Sequence, residues 1–194
     1  RTHVAYYIIE LMEIHTASVE KLLITQPFGE VPKEVNKIEL LLDGIKYDRH
    51  FGKTRNADVR TTKLLSKGIE VTNLRSITLI SQEELDEISS DVGFEVLPDD
   101  LEANITLKGI EKLTKLPAGT FIRFPRNAII FVTAENLPCV IPAQNMMKRG
   151  MEKSQAIKFT KAAMGKRGLT AMPFASGIIK VGDQVEIILP QSLE

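Results

Sequence analysis

The sequence predicts a mainly β chain with several short helices, an α+β protein built as an antiparallel or mixed β-barrel. Two observations carry this. Short runs of β-branched and apolar residues recur along the chain, each closed by a Gly, Pro, Asn or Asp turn signal, the pattern of strands joined by tight connections. Helical periodicity is confined to a few short segments, too few to place a helix between every pair of strands, so a barrel is favoured over βαβ winding. The length of 194 residues, with 43% hydrophobic and 26% charged residues, suits one domain with a substantial core.

Taken in order, residues 13–25 and 35–42 read as strands separated by the Pro/Gly loop QPFGEVP. Residues 43–60 (DGIKYDRHFGKTRNADVR) show no periodicity and gather Asp48, Arg49, His50, Lys53, Arg55 and Arg60 around two glycines. Long loops of this kind in compact domains are often functional, although a solvated charged loop reads the same way. Leu74–Ile80 is a short strand. It runs into Ser81-Gln-Glu-Glu84, a capping box, followed by Leu85, Ile88 and Val92 at helical spacing and a stop at Gly93. Residues 103–107 are a strand and 113–119 a turn. Residues 120–124 and 128–133 form a hairpin about Pro125-Arg126-Asn127. Short helices are expected at 144–150 and 154–164, the second with Ala156, Ile157, Ala163 and Met164 on one side. Strands at 169–173, 178–181 and 184–189 complete the chain, with a turn at Gly182-Asp183. Residues 1–11 are set apart as a tail, and 12–191 as a single domain.

The charge balance is even, 25 basic against 25 acidic residues, which gives no global field for nucleic acid or an anionic membrane. There is no Trp, and eight of the eleven aromatics are Phe, so a stacking platform for single strands is not indicated. No apolar run reaches the roughly 18–20 residues of a membrane span. One cysteine makes no internal disulfide and no CxxC zinc site, which suits a reducing, cytoplasmic setting. GxSxG, P-loop and dinucleotide fingerprints are absent. Met146, Met147, Met151 and Met164 sit at spacings better suited to core packing than to soft metal ligation.

What remains is the stretch Phe131–Gln144 (FVTAENLPCVIPAQ), with Cys139 where a strand hands over to a helical segment. Lone cysteines are usually inert and buried. Here the free N–H groups of a helix start would favour thiolate over thiol. His3, His15 and His50 are the available partners for a Cys–His pair, and only His50 lies in a functional-looking loop. A soft sulfur with cationic loops containing Arg49, Lys53, Arg55, Arg75 and Arg167 suits a phosphorylated, metal- or sulfur-bearing ligand.

The order of these motifs resembles the MOSC domains of molybdenum cofactor sulfurases. Gly44-Ile-Lys-Tyr-Asp48-Arg49-His50-Phe-Gly52 and Arg75-Ser-Ile-Thr-Leu-Ile-Ser81 resemble the opening. Leu97-Pro-Asp-Asp-Leu101-Glu-Ala-Asn104-Ile105 and Leu116-Pro-Ala-Gly119-Thr120 follow, and Glu135-Asn136-Leu-Pro138-Cys139 is similar to the cysteine motif. Arg167-Gly168 and Gly177-Ile-Ile-Lys-Val-Gly182-Asp183-Gln-Val185 resemble the closing turns. The likeness covers about residues 13–190. One departure is Tyr47, where many relatives carry Gly before Asp-Arg-His; a Gly-type backbone angle is therefore not expected there.

The resemblance implies a β-barrel and a site for the molybdenum–pterin cofactor or its sulfur. Cys139 would be the molybdenum ligand or persulfide carrier, and Arg49, His50, Arg75, Asn104 and Arg167 would line the pocket or hold the phosphate. Two classes of function stay open. One is a cofactor-binding protein acting in reduction of N-hydroxylated compounds or in sulfur transfer. It would need an electron-transfer protein in the first case, or a pyridoxal phosphate-dependent cysteine desulfurase in the second. The other is a carrier module without turnover for cofactor, persulfide sulfur or a small anionic ligand.

Overall fold

A computed structural model describes residues 14–190; the 1–11 tail lies outside the described residues. In chain order the strands are β1 (Ile14–Ile24), β2 (Lys33–Glu34), β3 (Lys37–Leu41), β4 (Gly44–Ile45), β5 (Thr54–Asn56), β6 (Glu70–Thr72) and β7 (Ile77–Ser81). Helix α1 (Gln82–Val92) leads to β8 (Ile105–Lys108), a 3₁₀ turn at Leu113–Lys115, β9 (Phe121–Arg123) and β10 (Ile129–Glu135). Helices α2 (Val140–Lys148) and α3 (Lys153–Ala162) then precede β11 (Leu169–Ala175), β12 (Gly177–Lys180) and β13 (Gln184–Ile188).

The barrel runs β13-β9-β10-β11-β7-β8-β1 and closes by pairing of β1 with β13. Closure depends on the length of β1. Its first half, Ile14–Ser18, pairs with β13, and its second half, Ser18–Leu22, pairs with β8, with a register shift between Val19 and Lys21 inside that pairing. A bulge of that kind bends a strand and sharpens its twist, which a closed sheet requires. All barrel pairs are antiparallel except β7 with β8, which are parallel. Parallel neighbours need a long crossover, and α1 with the loop after it supplies one. The barrel is thus mixed, with a single βαβ unit.

Inward positions alternate with outward ones. Ile130 and Val132 of β10 and Val185 and Ile187 of β13 are buried, and with Val19, Leu22, Leu79 and Leu107 they fill the interior. A second apolar cluster lies between the helices and the barrel wall: Leu85, Ile88 and Val92 of α1, Met146, Met151, Phe159 and Ala163. Two of the four methionines are therefore core, while Met147 and Met164 are exposed. The buried face of α3 is carried by Phe159; Ile157, expected on that side, is 73% exposed.

Three departures from the sequence reading matter for the site. Strand β12 leaves the barrel for a three-stranded sheet, β12-β3-β4, so the turn at Gly182-Asp183 joins two sheets rather than a hairpin. The charged stretch after β4 holds β5, which pairs with β6 further along the chain. Helix α2 begins at Val140, four residues before the expected start, because Pro142 falls in its first turn, where a missing N–H costs nothing.

Candidate functional site

Cys139 is the N-cap of α2, with extended backbone (φ −138°, ψ 178°) and no capping bond from its side chain. It is unpaired and half-buried. It lines a pocket of about 230 Å³ together with Arg49, His50, Arg75, Glu102 and Arg167. A second pocket of about 290 Å³ shares Arg49, His50, Arg60 and Arg75 with the first and continues to Arg55 and Asp58.

The loop between β4 and β5 delivers Arg49 and His50, and it is held from below by Asp48. Asp48 is buried and accepts from four donors. Oδ1 takes the His50 backbone N–H at 2.8 Å and ring Nδ1 at 3.0 Å. Oδ2 takes the Thr25 N–H at 2.6 Å and Asn104 Nδ2 at 2.7 Å. Burial pushes this carboxyl up, but the bonds from His50 and Thr25 more than offset it and hold Asp48 below the ordinary carboxylate range. The turn that makes this possible places Tyr47 at φ +68°. The Gly-type angle is present after all, adopted by a tyrosine whose ring is out in solvent, 79% exposed. Asn73 closes the loop's far end, donating to His50 O at 2.8 Å and Gly52 O at 3.0 Å.

Asn104 has no exposed surface and does not line the pocket. Its amide donates to Asp48, and its Oδ1 accepts the Thr78 N–H at 3.0 Å. Asn104 thus stands behind the wall and fixes the loop bearing Arg49 and His50. The other four sequence-predicted partners of Cys139 converge on it.

They are not equivalent. Arg49 is ion-paired with Glu102 at 2.6 Å, and Glu102 itself sits at φ +52°. Arg75 donates to Asn136 Oδ1 at 3.0 Å. Arg167 is only 6% exposed. One of its nitrogens, Nη2, donates to Leu101 O at 2.8 Å. Its Nε and Nη1 are buried with no partner among the described residues. Neither Arg75 nor Arg167 has a carboxylate partner among the described residues. Burial, and the charge of nearby arginines, lowers both guanidiniums to about 10, opposed at Arg75 by attraction from Asp58 and Cys139 and at Arg167 by attraction from Cys139 and Glu102; both stay cationic at neutral pH. A buried guanidinium with two idle donors is costly unless an anion meets it.

The turn before β11 presents Arg167 and also anchors the cysteine segment. The Gly168 N–H donates to Thr114 Oγ1 at 2.8 Å, and Gly168 O accepts the Asn136 N–H at 2.9 Å. Gly168 has φ +83°, and a Cβ there would lie 1.9 Å from Leu79 O, so only glycine fits. Thr114 in turn is held by Glu84, through its N–H and its hydroxyl, each at 2.9 Å. Glu84 was expected to complete a capping box; Ser81 does accept its N–H at 3.2 Å, but the carboxylate faces Thr114.

Sequence reasoning missed Asn73, Asn136 and Glu102. Each acts through a partner far along the chain, although Asn136 stood inside the quoted cysteine motif and Glu102 inside the quoted motif from Leu97 to Ile105. His50 and Cys139 share the pocket, but His50 Nδ1 is engaged by Asp48, and no His50–Cys139 hydrogen bond occurs among the described residues. No group of three or more His, Cys, Asp or Glu suited to a metal occurs among them either. A metal here would bring most of its own ligands and take one sulfur from the protein. No helix among the described residues is long and apolar enough to cross a membrane.

Comparison with known proteins agrees with this architecture. The family model described as MOSC domain matches residues 46–186. A Bacillus subtilis (strain 168) protein, YuaD, provisionally named for metal-sulfur cluster biosynthesis, is 33% identical over 174 residues, 89% of this chain and 90% of that one. The crystal structure of YuaD superposes with a TM-score of 0.88 at 32% identity, covering 93% of this chain and 100% of the other. YiiM from Escherichia coli shares the fold at a TM-score of 0.55 and 15% identity, over 90% of this chain and 71% of its own.

Proposed function

The chain belongs to the MOSC-domain family, and from that premise we propose that it binds the molybdenum–pterin cofactor, or the sulfur destined for it, through Cys139. The observation that carries this is Arg167, a buried guanidinium with two unpartnered nitrogens in the same pocket as the thiol. Such a pair fits an anionic ligand that also offers a thiophilic atom. Arg75 and Arg167 would hold the anion, Cys139 would contribute the sulfur ligand, and the adjoining pocket of Arg55 and Arg60 leaves room for a phosphate-bearing arm. When bound, the cofactor supplies oxygen-atom and electron chemistry. The protein's own residues bind it, orient it and exclude bulk water.

A reductase of N-hydroxylated compounds would draw electrons from an electron-transfer protein. A second reading, sulfur carriage, is favoured by the half-buried thiol, which makes no capping bond, and by the metal-sulfur assignment in the name of YuaD. In that reading the Cys139 thiolate takes the terminal sulfur of a desulfurase persulfide, forming one S–S bond as another breaks, and the donor cysteine leaves as thiolate. We take residues 12–191 as the one domain involved, in a cytoplasmic setting.

The test is protein made in a host that synthesises the cofactor. Stoichiometric molybdenum, absent from Cys139→Ala, supports cofactor binding. A persulfide on Cys139 by mass spectrometry, without molybdenum, supports sulfur carriage. Neither metal nor persulfide in either protein contradicts both.

A further inference from the structure

A third cleft, of about 390 Å³, runs along α2 away from the cysteine, within the size range of small-ligand sites. Ile141, Asp100 and Glu102 line both this cleft and the cysteine pocket, so the two compartments meet at those side chains. Their walls differ in character. The loop after β1 contributes Val31, 77% exposed, and Phe28, 80% exposed with the Arg49 guanidinium 5.8 Å from its ring centre, and Ile141 faces them from α2. Large apolar side chains left in water beside a concave wall mark a binding surface more often than chance.

Three of the four acidic groups in the wall are already matched, and the fourth, Glu30, has no side-chain hydrogen bond or ion pair among the described residues. Asp99 pairs with Lys21, Asp100 with Arg149 and Glu102 with Arg49. At the far end Gln144 and Lys148 line the cleft, and neither side chain has a hydrogen bond or ion pair among the described residues. Ile141, Gln144 and Lys148 follow one face of α2. From Cys139 to Lys148 the helix rises about 13 Å at its usual pitch. The cleft therefore offers, in line, an entry to the sulfur, an apolar middle and a polar or cationic end.

We infer that this cleft, given the cofactor-binding reading of the Cys139 pocket, holds that site's organic co-substrate. The ligand is a molecule with an aromatic or aliphatic body against Phe28, Val31 and Ile141. Its head passes Ile141 toward Cys139, and a hydrogen-bonding or anionic group reaches Gln144 and Lys148. A small inorganic ion has no use for such a wall.

The chain's single cysteine allows a direct test with two alkylating reagents that share one reactive group, iodoacetamide and N-benzyliodoacetamide. The rate at Cys139 is followed by mass spectrometry. The benzyl reagent should saturate with concentration and exceed iodoacetamide by about tenfold, the factor that burial of a phenyl-sized group is worth. In Phe28→Ser/Val31→Ser, changes at exposed positions, the ratio of the two rates should fall to the value measured for the unfolded chain. A reactive thiol with no preference for the benzyl reagent, or a preference that survives in the double variant, overturns the cleft proposal and leaves the cofactor reading standing. A thiol slow toward both reagents overturns the two together.

Discussion

Asn104 donates to Asp48 Oδ2 at 2.7 Å, 56 positions back along the chain, and this bond ties the entry to barrel strand β8 to the loop that carries Arg49 and His50. The site's shape thus rests on a buried amide–carboxylate pair that touches no ligand. Without it, Asp48 loses one of four donors, and the Thr78 N–H loses its acceptor.

Replacing Asn104 by Ala should therefore destabilise the protein by about 2–4 kcal/mol, the range for stranding buried polar groups. Asn104→Asp should cost at least as much, since it sets a second carboxylate against a buried first one. Urea denaturation measures both. Hydrogen exchange should show lost protection in residues 46–52 of Asn104→Ala, and wild-type protection there would mean that the loop is held by other contacts.

Tyr47 holds a backbone angle that costs an L-residue roughly 1 kcal/mol or more, while its ring packs only loosely beside Lys46. Tyr47→Gly should leave the site intact and raise stability by roughly 0.5–1 kcal/mol. Tyr47→Val, β-branched at the same angle, should lower it. Equal melting temperatures for the two variants would show that the turn has another conformation.

Burial pushes the Glu84 carboxyl up to about 7, against the bonds from Thr114. Its folded value thus lies above its unfolded one, so the folded state binds the extra proton between about pH 4.5 and 7. The resulting stability is fully present below pH 4.5 and is lost as pH rises through 7. Glu84→Gln should remove that slope, about 3 kcal/mol across the window at most. A pH series of denaturation midpoints decides it; an unchanged slope in the variant assigns the effect elsewhere.

Arg167 illustrates a site residue that stability alone would not select. A buried charge with one protein hydrogen bond is expensive, and apolar replacements of such groups are often neutral or stabilising by about 1–4 kcal/mol. Arg167→Met should melt at or above the wild-type temperature, while sodium molybdate should raise the melting temperature of the wild type and leave that of the variant unchanged. A variant that fails to fold would make Arg167 a structural residue instead.

The sequence made the barrel strands and α1 legible because period-2 and period-3.6 patterns are local, while the short β2, β5 and β6 carry too few residues to show a period, and Cys139 stood out because Pro138 and Pro142 frame a strand-to-helix boundary. Barrel closure was not legible, since nothing in β1 states that its two halves pair with different strands. Nor was the parallel β7–β8 pair, whose crossover shares its pattern with any surface helix. Asn104 belonged to a recognisable motif, but its role depends on Asp48, a long-range partner. Arg167 was visible as a charge; that it is buried with idle nitrogens is a property of packing alone.

The reagent pair iodoacetate and iodoacetamide measures, at the sulfur itself, the field of the cationic pocket in which Cys139 lies. Relative to the unfolded chain, the native protein should favour the anionic reagent by about tenfold or more at low salt, and Arg167→Met should lose most of that preference. A native ratio equal to the unfolded one, unchanged in Arg167→Met, would contradict the account.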